Sequence, residues 1–236
     1  MRPILKWTAV AAAGLVPAAA SAQGDSVTVV VGAEYRAGSL HRAMLGNSYR
    51  DVWTTPVKVE ALDLRTFAGG LTPTRRGGGN QTRSLRFSTP AGREYAFRSI
   101  NKEQTRALSP DIHGTIAGSV VQDQVSSLHP VAGLVTEPLL AAVGVLHVRP
   151  RLVALPRTGL PAEFAEFHGL VGTFEERPKA GNSDIPEIAA AADIEDTEEF
   201  LEALEGDPSH RLDTRDYLAG RFMDLIFGDW DRHEDQ

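Results

Sequence analysis

The chain contains no cysteine, so no disulfide framework supports it and the fold must stand on its core alone. It has no basic excess either. Its 24 Lys and Arg against 31 Asp and Glu leave a formal charge of −7, which argues against a general nucleic-acid binder. Beyond residue 23 no apolar run approaches the roughly 20 residues of a membrane span. His41, His129, His147, His168 and His210 show no metal-ligand spacing, and no internal repeat is visible. What is present is 236 residues with 42% apolar content, enough for one large domain or two small lobes with an ample core.

The charge is unevenly placed. Arg75, Arg76, Arg83, Arg86, Arg93, Arg98 and Arg106 fall close together, whereas residues 184–205 are rich in Asp and Glu. A basic first half facing an acidic insertion suits a phosphate-binding lobe, although a solvated basic face is the commoner cause of such a run. The acidic stretch lacks the alternating Asp/Asn and Gly of a calcium loop and reads as a solvated helix. The first 22 residues have the order of an export signal. Arg2 and Lys6 come first, then an apolar segment too short to span a bilayer, then Ala20-Ser21-Ala22 as a small-x-small cleavage site. The expected compartment is outside the cytoplasm.

Along the chain, residues 26–31 form a β-branched run that predicts a strand. Residues 39–53 carry Leu40, Met44, Leu45, Tyr49 and Trp53 at near-helical spacing, with Gly46 as a weak point. Residues 57–64 alternate and predict a second strand. A glycine-rich loop over residues 69–80 includes Gly77, Gly78 and Gly79. Residues 84–87 and 94–100 predict strands joined by a turn at Pro90-Ala91-Gly92. Helices are predicted over 111–128 and 137–145, strands over 146–155 and 170–174, a linker over 179–192 and an acidic helix over 193–204. Asp213 is placed to cap a last helix, whose one face carries Tyr217, Leu218, Phe222, Leu225 and Ile226.

That helix runs into Gly228-Asp229-Trp230-Asp231-Arg232-His233-Glu234-Asp235. Phosphoryl transfer asks for few protein groups: a carboxylate near the attacking oxygen, ligands for a divalent metal, and cations or backbone amides on the phosphates. Amides in a glycine-rich loop approach phosphate oxygens without interference from Cβ. Arg98 supplies a cation on the strand after the hairpin. Asp123 supplies a carboxylate on the helix that follows, and Glu175-Glu176 a strand end where a nucleobase could be met.

The Asp231-Arg232-His233 triplet and this order of elements resemble the atypical protein- and lipid-kinase superfamily, which includes the phosphoinositide 3-kinases, the HipA-type kinases and the secretory-pathway kinases. More closely, several segments resemble a family of exported bacterial proteins that often carry an outer-membrane β-barrel downstream. They are Tyr49-Arg50-Asp51-Val52-Trp53-Thr54-Thr55-Pro56-Val57, Gly69-Gly70-Leu71-Thr72-Pro73, Gly77-Gly78-Gly79-Asn80-Gln81-Thr82, Tyr95-Ala96-Phe97-Arg98-Ser99, Val121-Gln122-Asp123-Gln124, Phe174-Glu175-Glu176-Arg177-Pro178 and the terminal motif itself.

The resemblance implies an α+β, two-lobed protein-kinase-like fold. Residues 23–178 would be a small antiparallel-sheet lobe with packed helices, 179–212 a linker and acidic helix, and 213–236 the start of a helical lobe. It implies Asp231 as catalytic carboxylate, His233 as support for its loop, and Gln236 at a metal-ligand position. Gly77, Gly78, Gly79, Arg98, Asp123 and Glu175 would bind phosphate or nucleotide, with Lys102 replacing Arg98 if the register slips. The implied cofactor is Mg²⁺ or Mn²⁺ with a nucleotide or another phosphate donor. The implied location is periplasmic or outer-membrane associated, with a barrel as partner and no nucleic acid. On this reading the chain stops inside its catalytic loop, and the 236-residue piece is expected to be inactive. Two further readings stay open. One is a non-catalytic periplasmic module that uses the same fold to hold a ligand or partner. In the other, Asp111-Ile112-His113-Gly114 and Gly228-Asp229 with Asp231-Arg232 are similar to the motifs of calcineurin-like metallophosphoesterases, whose two-metal chemistry would need those groups convergent on one site.

Overall fold

A computed structural model describes residues 25–79 and 81–229. Its centre is a seven-stranded mixed sheet made of β1 (Ser26–Val29), β2 (Val57–Ala61), β3 (Thr72–Gly77), β4 (Ser84–Ser88), β5 (Glu94–Ser99), β6 (Arg151–Ala154) and β7 (Val171–Arg177). The spatial order is β1-β2-β6-β7-β5-β4-β3. The pair β4–β5 is antiparallel, with Leu85 opposite Phe97, as the turn at Pro90-Ala91-Gly92 predicts. The expectation of a small antiparallel sheet needs correction, because β2 and β6 run parallel, Glu60 beside Val153. The pair β1–β2 joins the open edge of β6 from far away in sequence, and a parallel neighbour is only available through such a long crossover.

The strands form because their side chains alternate. In β4 Leu85 and Phe87 point one way and Ser84, Arg86 and Ser88 the other; β5 sends Tyr95 and Phe97 to the same side as Leu85 and Phe87. That side is the core. It is closed by Leu62, Leu71, Val153, Leu155, Leu160, Phe164, Phe167 and Phe174. Tyr95 stacks on Phe174 with centroids 5.2 Å apart, and Phe67 meets both edge-on at 5.2 Å.

Several predicted elements differ. Residues 72–77 are strand and not loop, since Thr72–Gly77 pairs with β4 along its length, with a bulge between Pro73 and Arg75. Sheet pairing outweighs a composition that reads as loop. The helix over 39–53 is broken into α1 (Ser39–Leu45) and α2 (Arg50–Thr54), because Gly46 and Ser48 both take positive φ. The helix over 111–128 is a 3-10 turn (Pro110–Ile112), α3 (Ile116–Asp123) and a second 3-10 turn (Gln124–Ser127). It does not lie on the aromatic core. Val125 packs instead on Tyr35 and Trp53, because the polar end of α3 is drawn there. Gln122 bonds Tyr35, the Lys102 carbonyl and the Gln104 amide, and Asp123 bonds Arg50.

Helix α4 (Ala132–Val143) begins earlier than predicted, with Pro138 inside it, and β7 reaches on to Arg177. The predicted linker holds a short helix, α5 (Pro186–Ala189). Acidic α6 (Thr197–Gly206) starts on a reciprocal cap between Asp196 and Glu199. The side chain of Asp213 accepts the Arg215 and Asp216 amides and opens α7 (Thr214–Phe227), whose Phe222, Leu225 and Ile226 are exposed. Among the described residues no helix is long and apolar enough to cross a membrane. The predicted export signal and the segment with Asp231, His233 and Gln236 lie outside the described residues.

Candidate functional site

Opposite the aromatic core, β3, β4, β5 and β7 present a polar face whose register sets three rows. The first row is Gly77, Ser84, Arg98 and Thr173. The second is Arg75, Arg86, Ala96 and Glu175. The third is Thr72, Ser88, Glu94 and Arg177. Gly77 and Arg98 are thus two strands apart in the first row, about 10 Å between backbones at the usual strand spacing. A single di- or triphosphate spans that distance.

The glycine turn stands at the end of this row. Gly78 has φ +90°, and a Cβ there would lie 2.6 Å from the Thr82 carbonyl oxygen. Any side chain is therefore excluded where β3 turns towards β4. A Cβ on Gly77 would lie 3.4 Å from Arg86 Nε, an ordinary contact, so the Arg86 side chain runs alongside Gly77 across the row.

The face carries more positive than negative charge. Arg98 is paired with Glu175, while Glu94 is shared by Arg177 at 3.1 Å and Lys179 at 2.7 Å. Arg75 and Arg86 stand directly opposite one another without a carboxylate partner among the described residues. Nε and Nη1 of Arg86 are sealed from solvent and make no hydrogen bond. Burial, then the charges of Arg177, Arg75 and Arg98, push the Arg86 guanidinium below its usual range, and Glu94 offsets part of this. A buried donor left unsatisfied carries its full desolvation cost.

The structure therefore places Gly77 and Arg98 in one row with Gly78 at its end, and pairs Arg98 with Glu175 of the next row, three strands from Gly77. Gly79 follows them, with open space around its Cα. Asp123 is not among them, which corrects its assignment. Its carboxylate takes Arg50 Nη1 at 2.7 Å and Arg50 Nη2, with His41 Nε2 at 3.2 Å. Arg50 is 1% exposed and also donates to the Gly46 carbonyl at 2.7 Å. These partners hold the Asp123 carboxyl well below the usual range, with the Arg50 hydrogen bond as the largest cause. Asp123 is the counter-charge of a buried arginine.

Lys102 is not on the polar face either. It lines a separate cavity of about 510 Å³ with Glu34, Arg83, Glu103 and Arg157. A larger groove of about 1220 Å³ lies between β6–β7 and α7 and touches the site residues at Glu175 alone. The phosphoesterase reading finds no strand end at Asp111, which sits in a 3-10 turn, and His113 Nε2 is 2.6 Å from the Thr105 carbonyl oxygen. Among the described residues no group of three or more His, Cys, Asp or Glu could hold a metal ion. Sequence reasoning missed Arg75 and Arg86 as members of the face. Their signal was the alternation of β4 in register with Arg98, which needs the pairing partner to be read.

Comparison with known proteins finds no matching family model, no matching curated protein and no matching solved structure.

Proposed function

We propose that this chain is the phosphate-binding part of an exported, kinase-like, metal-dependent phosphotransferase. The observation that supports it is the shared face of Gly77, the Gly78 turn and Arg98 within one row of adjacent strands. Backbone amides at the turn and a guanidinium two strands away suit the oxygens of a bound phosphate, and Arg can fork onto two of them. The order strand, glycine turn, strand, hairpin, strand, helices, strand pair is the one the kinase resemblance implies. The export-signal order of the first 22 residues and the Asp231-Arg232-His233 triplet support the reading. Asp231 would orient the acceptor, with Gln236 on the metal that neutralises developing charge.

Binding and turnover together test it. The purified chain is incubated with Mg²⁺ or Mn²⁺ and a panel of nucleoside triphosphates and inorganic phosphate anhydrides, and binding, phosphate transfer and release are followed. Binding lost in Arg98→Ala, with no turnover by the 236-residue piece, is the expected result. Turnover that Asp231→Ala abolishes would overturn the expected inactivity and keep the phosphotransferase reading. Binding indifferent to Arg98→Ala, or turnover that survives both substitutions, contradicts the proposal.

A further inference from the structure

The second row of the polar face is harder to account for than the first. About 7 Å along the strands from Gly77 and Arg98, Arg75 and Arg86 face each other across β3 and β4. Like charges directly opposite destabilise a sheet, and Nε and Nη1 of Arg86 are buried with no acceptor. Of the acids on this face, only Glu94 favours the Arg86 charge, and it does so without a hydrogen bond to it. Glu175 is taken by Arg98, and Glu94 by Arg177 and Lys179. The face carries five cations and two carboxylates, and two of the cations stand together without a partner.

A nucleoside phosphate with its anionic end in the first row would lay its base on the second and third rows. A base needs an apolar slot or an aromatic platform. The only apolar side chain that β3, β4, β5 and β7 place on these rows is Ala96, which is 1% exposed. Tyr95 and Phe174 belong to the opposite face, are 5% and 1% exposed, and line the groove that meets this face only at Glu175, whose carboxylate is held by Arg98. What the second row offers is more positive charge.

Resting on the phosphate-binding reading above, we infer that the ligand of this face is a linear inorganic polyphosphate and not a nucleotide. Its phosphates span the first row from the glycine turn to Arg98, and the chain continues over Arg75 and Arg86. Each further phosphate supplies oxygens to the exposed Arg75 guanidinium and to the outward nitrogen of Arg86, and offsets the repulsion between the two.

Calorimetric titration of the full chain with tripolyphosphate, ATP, adenosine and orthophosphate at fixed ionic strength tests this. Tripolyphosphate should bind about tenfold or more tighter than ATP, as one or two added charge-assisted contacts allow, and adenosine should not bind. Arg86→Gln and Arg75→Gln should each weaken tripolyphosphate by a similar factor while leaving the protein folded. Removing one of two opposed charges should leave the unliganded melting temperature of either variant equal or higher. Equal or tighter binding of ATP, or any binding of adenosine, overturns the polyphosphate assignment and leaves the phosphate-binding reading standing. Tripolyphosphate affinity unchanged in both variants also overturns it, by placing the chain elsewhere. If neither tripolyphosphate nor ATP binds, the underlying reading fails and the inference fails with it.

Discussion

Arg50 and Asp123 show how one pair of side chains decides what a motif means. A carboxylate on a helix after a strand reads as a phosphate-site acid until its partner is seen. Here the partner is a guanidinium 1% exposed, bonded through Nη1 at 2.7 Å. Removing the charge leaves Arg50 buried and uncompensated, so Asp123→Asn should destabilise the protein by about 3 kcal/mol, read from denaturant melts at pH 7. The pH dependence follows from the depressed carboxyl. The contribution is fully present above the ordinary Asp range of about 4 and is lost as pH falls through the lower folded value. Asp123→Asn should therefore flatten the acid limb of the stability curve. Tyr35 is displaced the other way. Burial pushes its hydroxyl up to about 12, so its stabilising effect holds below its unfolded value near 10 and is lost as pH rises beyond it. Ultraviolet titration should show a tyrosinate component near pH 12 that is missing in Tyr35→Phe; if the two spectra titrate alike, Tyr35 is not held as described.

At the scale of elements, β7 is the strand on which the site depends. Its Gly172 lies against β5 so closely that a Cβ would meet the Arg98 carbonyl oxygen at 2.3 Å and Phe97 Cζ at 2.5 Å. Gly172→Ala should cost about 3 kcal/mol, the upper end for overpacking a core, and should loosen β5 and with it Arg98. Gly79→Ala, with nothing within 4 Å, should leave stability unchanged, and comparable melts for the two variants would contradict this picture. The strands were legible because β4 and β5 alternate, and the Asp213 cap was legible because a short acid before an apolar run has few other uses. The 3-10 interruptions around α3 were not. They depend on Gln122 and Asp123 finding Tyr35 and Arg50, far away in sequence. Residues 72–77 read as loop because two arginines and a proline hide a strand whose pairing lies wholly with β4.

Across the whole molecule, the sheet gathers contributions that no local pattern announces. The parallel docking of β2 on β6 and the antiparallel docking of β7 on β5 are long-range choices. Gly77 and Arg98 could be nominated from motifs, yet their placement in one row, and the Arg75–Arg86 pair beside them, required the register of four strands. The aromatic core fixes that register. A shift of one residue in β5 would turn Tyr95 and Phe97 to solvent and Arg98 into the core. The central claim is that this polar face, and neither of the two cavities, is where phosphate is held. The most direct measurement is chemical-shift mapping of the backbone amides and arginine Nε groups while Mg²⁺ and pyrophosphate are added. The account predicts shifts confined to Gly77, Gly78, Gly79, Ser84, Arg98 and their row neighbours, abolished in Arg98→Ala. Shifts centred on Lys102 and Arg157 instead, or a spectrum that does not respond, would contradict it.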